Sequence, residues 1–140
     1  MAIHFAQTEI TFKLKNKQAL KTWIKKVIDK EKLNLGEIAY TFCSDNELLK
    51  INQQYLEHDT YTDIITFDYR EGKVVNGEIH ISVDRVKENA EKFKTTFELE
   101  LHRVMIHGVL HICGYKDKSK LHKEEMRKKE DSSLKLLSTI

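Results

Sequence analysis

Apolar and polar residues alternate in four short segments of the chain, which is the pattern of half-buried β-strands. The segments cover residues 10–14, 38–42, 65–69 and 79–83. Gly72 lies between the last two segments and suits a hairpin turn. We therefore expect four strands, of which the last two form an antiparallel pair.

Apolar residues at helical spacing, together with capping residues, predict five helices between and after these strands, and the last of them is polar and basic. Asn16 is a candidate cap for the first helix, and the capping-box pair Ser44 and Glu47 precedes the second. Gly36 is expected to end the turn after the first helix, and Thr95 to cap the fourth. The five helices are expected over about residues 17–28, 45–56, 86–93, 96–113 and 121–137.

The fourth helix is apolar on nearly every side between residues 104 and 112, so we expect it to run through the core. The chain of 140 residues has no proline, no repeat and no linker-like segment, which predicts one domain over residues 1–140. We predict an α+β fold, in which helices pack against a single mixed sheet of about four strands.

Composition disfavours several classes of protein. No apolar run is long enough to cross a membrane and the first residues do not form a secretory signal, so we expect a cytoplasmic protein. Cys43 and Cys113 are seventy residues apart, without a C-x-x-C pair. This spacing disfavours a disulfide framework and a four-thiolate zinc site, and it predicts two buried free thiols.

Charge is segregated along the chain, although the net charge is only +2. Residues 13–32 carry eight lysines and two acidic residues, residues 33–100 carry seven basic and fourteen acidic residues, and residues 116–129 carry seven basic and three acidic residues. The two basic segments are either solvated helix faces or a surface that binds the RNA backbone. The interpretation of both segments as one RNA-binding surface gains support only if they meet beside a reactive site.

His107 and His111 are the strongest candidates for chemistry. They are four positions apart on the predicted core helix, so their side chains lie one turn apart on one face. Gly114 can end that helix, and the chain after it can turn back and bring Asp117 to the same face. Two imidazoles, a carboxylate and an open fourth position are typical of a catalytic zinc site. The alternative is a pair of core histidines bonded to backbone carbonyls, with Asp117 an ordinary loop residue.

Neighbouring residues narrow the chemistry. Gly108 occupies the position of the catalytic glutamate in H-E-x-x-H proteases, so peptide hydrolysis by that route is disfavoured. Cys113 should project away from His111 and is excluded as a ligand. The remaining histidines lack a comparable partner and are assigned to surface or packing roles: His4, His58, His80, His102 and His122.

The sequence H-G-V-L-H-I-C-G-Y-K-D over residues 107–117 resembles the signature H-G-x-L-H-L-x-G-Y-D-H of the YbeY endoribonuclease family. Residues 59–67 resemble the family's D-x-P-T-D-V-L-S-F, and residues 77–82 resemble its G-D-I-x-I-S. The resemblance covers about residues 40–117. It implies an α+β protein that binds one zinc ion and acts on single-stranded RNA in ribosomal RNA processing and ribosome quality control.

By this resemblance, His107 and His111 match two of the family's three histidine ligands, and the third falls on Asp117. A carboxylate there would still bind zinc, but it also makes manganese or nickel possible. The family commonly has an arginine three residues before its first aspartate, where this chain has Leu56. The candidate replacements for that RNA contact are Arg85 and Lys116.

Two main hypotheses follow. The first is a zinc-dependent, single-strand-specific endoribonuclease of ribosomal RNA maturation, with a catalytic metal site formed by His107, His111 and Asp117. Asp63 and Glu78 are its candidate general bases. The alternative is a ribosome-assembly factor that binds RNA, keeps the metal for stability and cleaves little or nothing. A metal hydrolase for a small substrate is a third possibility, which a narrow apolar pocket would favour.

Overall fold

The computed structural model describes residues 2–56 and 60–140. This part of the chain contains four strands, β1 (Ala2–Gln7), β2 (Asn34–Cys43), β3 (Ile64–Asp68) and β4 (Val74–Ser82). It also contains five helices, α1 (Lys17–Lys30), α2 (Asp45–Leu56), α3 (Val83–Lys92), α4 (Phe97–Ile112) and α5 (Lys120–Leu137). None of these helices has the length and apolar character needed to cross a lipid bilayer.

The four strands form one mixed sheet in the order β1-β2-β4-β3. Strands β1, β2 and β4 are parallel, whereas β3 is antiparallel to β4. The hairpin between β3 and β4 turns at Gly72, whose φ of +57° is a left-handed conformation that glycine adopts without steric cost. The mixed sheet with its helices confirms the predicted α+β class, and the hairpin confirms the expected antiparallel pair.

The predicted first strand over residues 10–14 is wrong. The first strand of the chain is instead β1, which lies at one edge of the sheet and pairs along its whole length with β2. After β1 ends, Glu9 adopts a φ of +55° and turns the chain away from the sheet. Residues 10–14 still bury apolar side chains against the core, Leu14 most deeply, but they belong to no strand. Alternating burial without backbone pairing therefore explains the misleading pattern.

Two predicted boundaries also differ from the structure. Gly36 lies inside β2, and the turn after α1 contains Lys32, whose φ is +61°. Thr96, not Thr95, caps α4, and its side chain accepts a hydrogen bond from the backbone N–H of Leu99. Both differences involve local turn geometry that side-chain periodicity does not report.

Helix α4 crosses the core, as its apolar composition predicts. The hydroxyl of Tyr40 on β2 donates a hydrogen bond to the carbonyl of Met105, at 2.9 Å. Gly108 brings the helix close to the sheet, because an added Cβ would lie 3.0 Å from a side-chain carbon of Ile79 and 3.1 Å from one of Ile64. This close approach places the histidine-bearing half of α4 beside the start of β3.

Helix α5 packs across α1 and α4. The indole N–H of Trp23 donates to the carbonyl of Ser133 at 2.6 Å. The carboxylate of Glu31 accepts hydrogen bonds from Tyr115 at 2.7 Å and from Lys129 at 3.1 Å. These contacts hold α5 in place, and they bring its buried Glu130 against α4.

Candidate metal centre

The end of α4 is built to reverse the chain. Gly114 has a φ of +114°, its N–H donates to the carbonyl of His111, and the N–H of Tyr115 donates to the carbonyl of Leu110, both at 3.0 Å. The guanidinium of Arg70 donates to the carbonyl of Cys113 at 3.0 Å, so this carbonyl at the helix end is also satisfied. The expected turn at Gly114 is therefore confirmed, and the segment after it returns along α4.

His107, His111 and Asp117 converge at one point. One carboxylate oxygen of Asp117 lies 3.2 Å from Nε2 of His107 and 3.3 Å from Nε2 of His111. One potential ligand atom from each residue lies within 4.8 Å of those of the other two. Donors about 2.0–2.1 Å from a tetrahedral zinc ion are about 3.3–3.4 Å apart, so the observed spacing fits such an ion. The predicted convergence is confirmed, and these residues could hold a metal ion.

Glu130 orients the first of these candidate ligands. Its carboxylate oxygen lies 2.6 Å from Nδ1 of His107, and its side chain is only 7% exposed. An ionised carboxylate can only accept, so Nδ1 carries the proton, which leaves Nε2 of the neutral ring as the nitrogen that can bind a metal ion. Burial lowers the pKa of His107, but the hydrogen bond and charge of Glu130 outweigh it and the pKa is raised overall.

Arg103 in turn holds Glu130. Its guanidinium donates to Glu130 at 3.0 Å and to Asp131 at 2.7 Å. A buried carboxylate needs such a partner, because an unpaired charge there would be strongly destabilising. Neither Arg103 nor Glu130 was predicted from the sequence. Arg103 lies four residues before His107 on α4, and this helical spacing could have predicted that the two side chains share a face. Glu130, by contrast, is 23 residues from His107 and meets it only through tertiary packing.

Cys113 takes no part in this centre. The thiol belongs to no metal-binding group among the described residues, and burial is the main cause that raises its pKa to about 12. A protonated thiol is a poor metal ligand. Cys43 and Cys113 are both free, as predicted, although Cys113 is only partly buried.

The three candidate ligands lie in an open cleft of about 920 Å³. Arginine and lysine side chains line it together with acidic ones, so it is not a narrow apolar pocket. Burial raises the pKa of Asp63, one of the residues that line it. The charged residues that line the cleft besides His107, His111 and Asp117 are Asp63, Asp68, Glu100, Arg103, Lys118, Arg127 and Glu130.

The residues predicted to contact RNA lie outside the lining of this cleft. Arg85 forms an ion pair with Asp45 at 2.7 Å, and its guanidinium lies 5.3 Å from the ring centroid of Tyr61. Lys116 is exposed in the segment after α4. Leu56, at the position of the family arginine, lines the cleft. The RNA contacts of Arg85 and Lys116 stay predictions.

Only one of the two candidate general bases lines the cleft. Asp63 lines the cleft, whereas Glu78 lies outside the lining and accepts a hydrogen bond from the hydroxyl of Tyr69 at 2.8 Å. Asp59, the first residue of the family's aspartate motif, lies outside the described residues. Asp63 is therefore the better placed of the two carboxylates.

Comparison with known proteins decides which family this fold and site belong to. The family model described as Endoribonuclease YbeY matches residues 2–138. The chain belongs to the YbeY endoribonuclease family. The resemblance seen in residues 40–117 is thus confirmed and extends over nearly the whole chain.

Individual YbeY relatives support the same conclusion. The chain is 56% identical to Endoribonuclease YbeY of Flavobacterium psychrophilum over 91% of each chain. It is 46% identical to Endoribonuclease YbeY of Parabacteroides distasonis, over 98% of this chain and 96% of that relative. Among solved structures, it is similar to a Thermotoga maritima protein determined in solution, with a TM-score of 0.67 and 31% identity over 99% of this chain and 93% of the other.

Proposed function

We propose that this chain is a zinc-dependent, single-strand-specific endoribonuclease that acts on ribosomal RNA during ribosome maturation and quality control in the cytosol. The observation that carries the proposal is the convergence of His107, His111 and Asp117 in an open, charge-lined cleft. The names of its relatives support RNA cleavage. Three protein ligands leave a coordination position free, as catalytic zinc sites require.

The chain's own residues prepare the site for this reaction. His107, His111 and Asp117 would hold the ion, and Glu130 keeps His107 turned so that Nε2 faces it. A zinc ion bound there supplies a Lewis acid and makes water acidic enough to act at neutral pH. Asp63 would accept the proton of the attacking water, because its raised pKa makes it a stronger base than an exposed carboxylate.

Arg127 and Lys118 would bind the phosphate backbone. Arg103 lines the cleft too, but two carboxylates already occupy its guanidinium. Arg127 is 64% exposed, and its contact with Glu130 is long, at 3.9 Å. It can therefore turn toward a ligand in the cleft, where an exposed arginine can bind a phosphate group in bidentate fashion.

A cleavage assay tests the proposal. Wild-type protein of measured metal content is incubated with single-stranded and double-stranded RNA, beside His111→Ala and Asp117→Ala. His122→Ala is the matched control, because His122 is an exposed histidine on α5 outside the cleft. We expect both ligand variants to lose metal and single-strand cleavage, and the control to keep them. Cleavage that survives both ligand substitutions would come from a contaminant and would remove the enzyme hypothesis.

The alternative of an RNA-binding assembly factor is favoured by one observation, the apolar Leu56 in the cleft where the family commonly has an arginine. Metal removal separates the two functions. A structural ion is part of the folding free energy, so a chelator would then unfold the chain. If the site is catalytic, the chelator should abolish cleavage while the circular dichroism spectrum of the folded chain is retained.

A further inference from the structure

The first basic segment, residues 13–32, is not used by the proposed active site. Lys13 and Lys17 from this segment border β1 at one edge of the sheet, whereas the active-site cleft borders β3 at the other edge. Three strand intervals, about 14 Å, separate these two edges. Only the second basic segment contributes to the cleft, through Lys118 and Arg127. The lysines of the first segment therefore require their own explanation.

Lys13 and Lys17 line a groove of about 450 Å³, which we call the lysine groove. Phe5 and Phe12, both half-buried, also line it. Among the residues that the structure describes, no acidic side chain lines this groove. Lys21 adds a further ammonium group, 5.9 Å from the ring centroid of Phe5. The groove thus combines aromatic surface with charge of a single sign.

The positive charge of the lysine groove is not neutralised within the described part of the chain. Lys13 and Lys17 are exposed, and no carboxylate of residues 2–56 or 60–140 lies within ion-pair distance of them. Lys25 on the same helix, by contrast, pairs with Asp29 at 2.9 Å. Unpaired cations along a groove attract a polyanion.

The phenyl rings of the groove are held in fixed positions by buried aromatic neighbours. Phe5 stacks on Tyr40 with centroids 5.5 Å apart, and Phe12 lies 5.1 Å from Phe42. Their exposed parts are therefore rigid surfaces on which a planar base can stack. Proteins bind single-stranded nucleic acid through this combination of stacking rings and a positively charged groove.

We propose that the lysine groove is a second binding site for single-stranded RNA, which holds a part of the substrate that flanks the cleavage point. The choice of RNA rests on the proposed function, but binding in the groove does not require cleavage. The lysines would contact phosphates, and Phe5 and Phe12 would stack on bases. A long RNA would then occupy both edges of the sheet, whereas a short one would occupy the cleft alone.

The test compares two double variants of α1 and the segment before it. Lys13→Gln/Lys17→Gln changes the groove, and Lys26→Gln/Lys30→Gln removes two exposed charges from α1 outside the groove lining. The probe is a fluorescein-labelled 2′-O-methyl single-stranded oligonucleotide, whose backbone resists cleavage. We expect the groove variant to bind at least tenfold more weakly at low salt. The slope of log affinity against log salt should fall by about 1.4 in magnitude, because each phosphate contact contributes about 0.7.

Stacking is tested with Phe12→Leu and with inorganic polyphosphate as a second probe. The variant should bind the oligonucleotide at least about fivefold more weakly, because it loses one stacked base, and should bind polyphosphate unchanged. Equal oligonucleotide affinity and equal salt slope for the two lysine variants would overturn the proposal. A groove that binds a protein and not RNA would give this result. Because the probe is not cleaved, a wild-type chain that binds it through the groove but cuts no RNA would contradict only the proposed function.

Discussion

Glu130→Gln tests whether a residue outside the three candidate ligands controls the candidate metal centre. The Glu130 carboxylate accepts hydrogen bonds from His107 at 2.6 Å and from Arg103 at 3.0 Å. A glutamine offers a single oxygen acceptor, so one of these donors loses its partner. A hydrogen bond to a charged group contributes about 1.5–3 kcal/mol. We expect the metal-free variant to lose about this much free energy of unfolding.

The same substitution should weaken zinc binding. The charge of Glu130 makes the imidazole of His107 a stronger electron-pair donor to a metal ion, and its hydrogen bond fixes the orientation of that ring. A neutral amide at position 130 loses both effects. Loss of such an outer carboxylate typically lowers metal affinity about 10- to 100-fold. Glu125→Gln is the matched control, because Glu125 is an exposed carboxylate on the same helix outside the cleft.

Urea unfolding of chelator-treated protein measures the stability change, and competition with a chromophoric zinc chelator measures the affinity. Zinc affinity equal to that of Glu125→Gln would refute the argument that Glu130 orients His107. A loss of stability alone would assign the carboxylate to packing and leave the metal centre independent of it.

Three further predictions concern the core, the response to acid and the cleft. Gly77→Ala should lower the free energy of unfolding by about 1–3 kcal/mol in urea titrations, because its Cβ would lie 2.7 Å from the backbone oxygen of Phe67; unchanged stability would mean that β3 can shift. Burial lowers the pKa of His102, so below about pH 6.5 the unfolded chain binds more protons than the folded chain does. The free energy of unfolding therefore falls as the pH drops. His102→Phe should lose less of this free energy between pH 7 and pH 5 than the wild type does. Arg127→Gln should reduce kcat/KM on single-stranded RNA about tenfold, which corresponds to about 1.4 kcal/mol of transition-state stabilisation. The control is Lys128→Gln, at an exposed neighbour outside the cleft lining, and it should reduce kcat/KM less. Equal losses would show that Arg127 does not bind an RNA phosphate.

Local sequence patterns predicted the parts of this protein that depend on neighbours along the chain. The spacing of His107 and His111 places both on one helix face, and a glycine at position 114 ends that helix. These features, with Asp117 three residues later, were enough to predict the convergence that the structure confirms. The signature over residues 107–117 was likewise enough to identify the family.

Strand pairing was decided by tertiary structure. Residues 2–7 and residues 10–14 both carry apolar side chains that turn inward, but only residues 2–7 have backbone groups that reach β2. The left-handed Glu9 separates the two segments, and it is not one of the residues that usually signal such a turn. Side-chain alternation reports burial, and it does not report which backbone is paired.

The sequence by itself determined which side chains meet at the candidate metal centre, because His107, His111 and Asp117 lie within one helix and the turn after it. Only the tertiary structure decided what surrounds them. Glu130 reaches His107 across 23 residues, because α5 is packed against α1 and α4 through contacts as remote in sequence as Trp23 with Ser133. The physical reason is the sequence distance over which each effect acts. Helical spacing fixes only neighbours within one or two turns, whereas the packing of whole helices against each other fixes the electrostatic environment of the site.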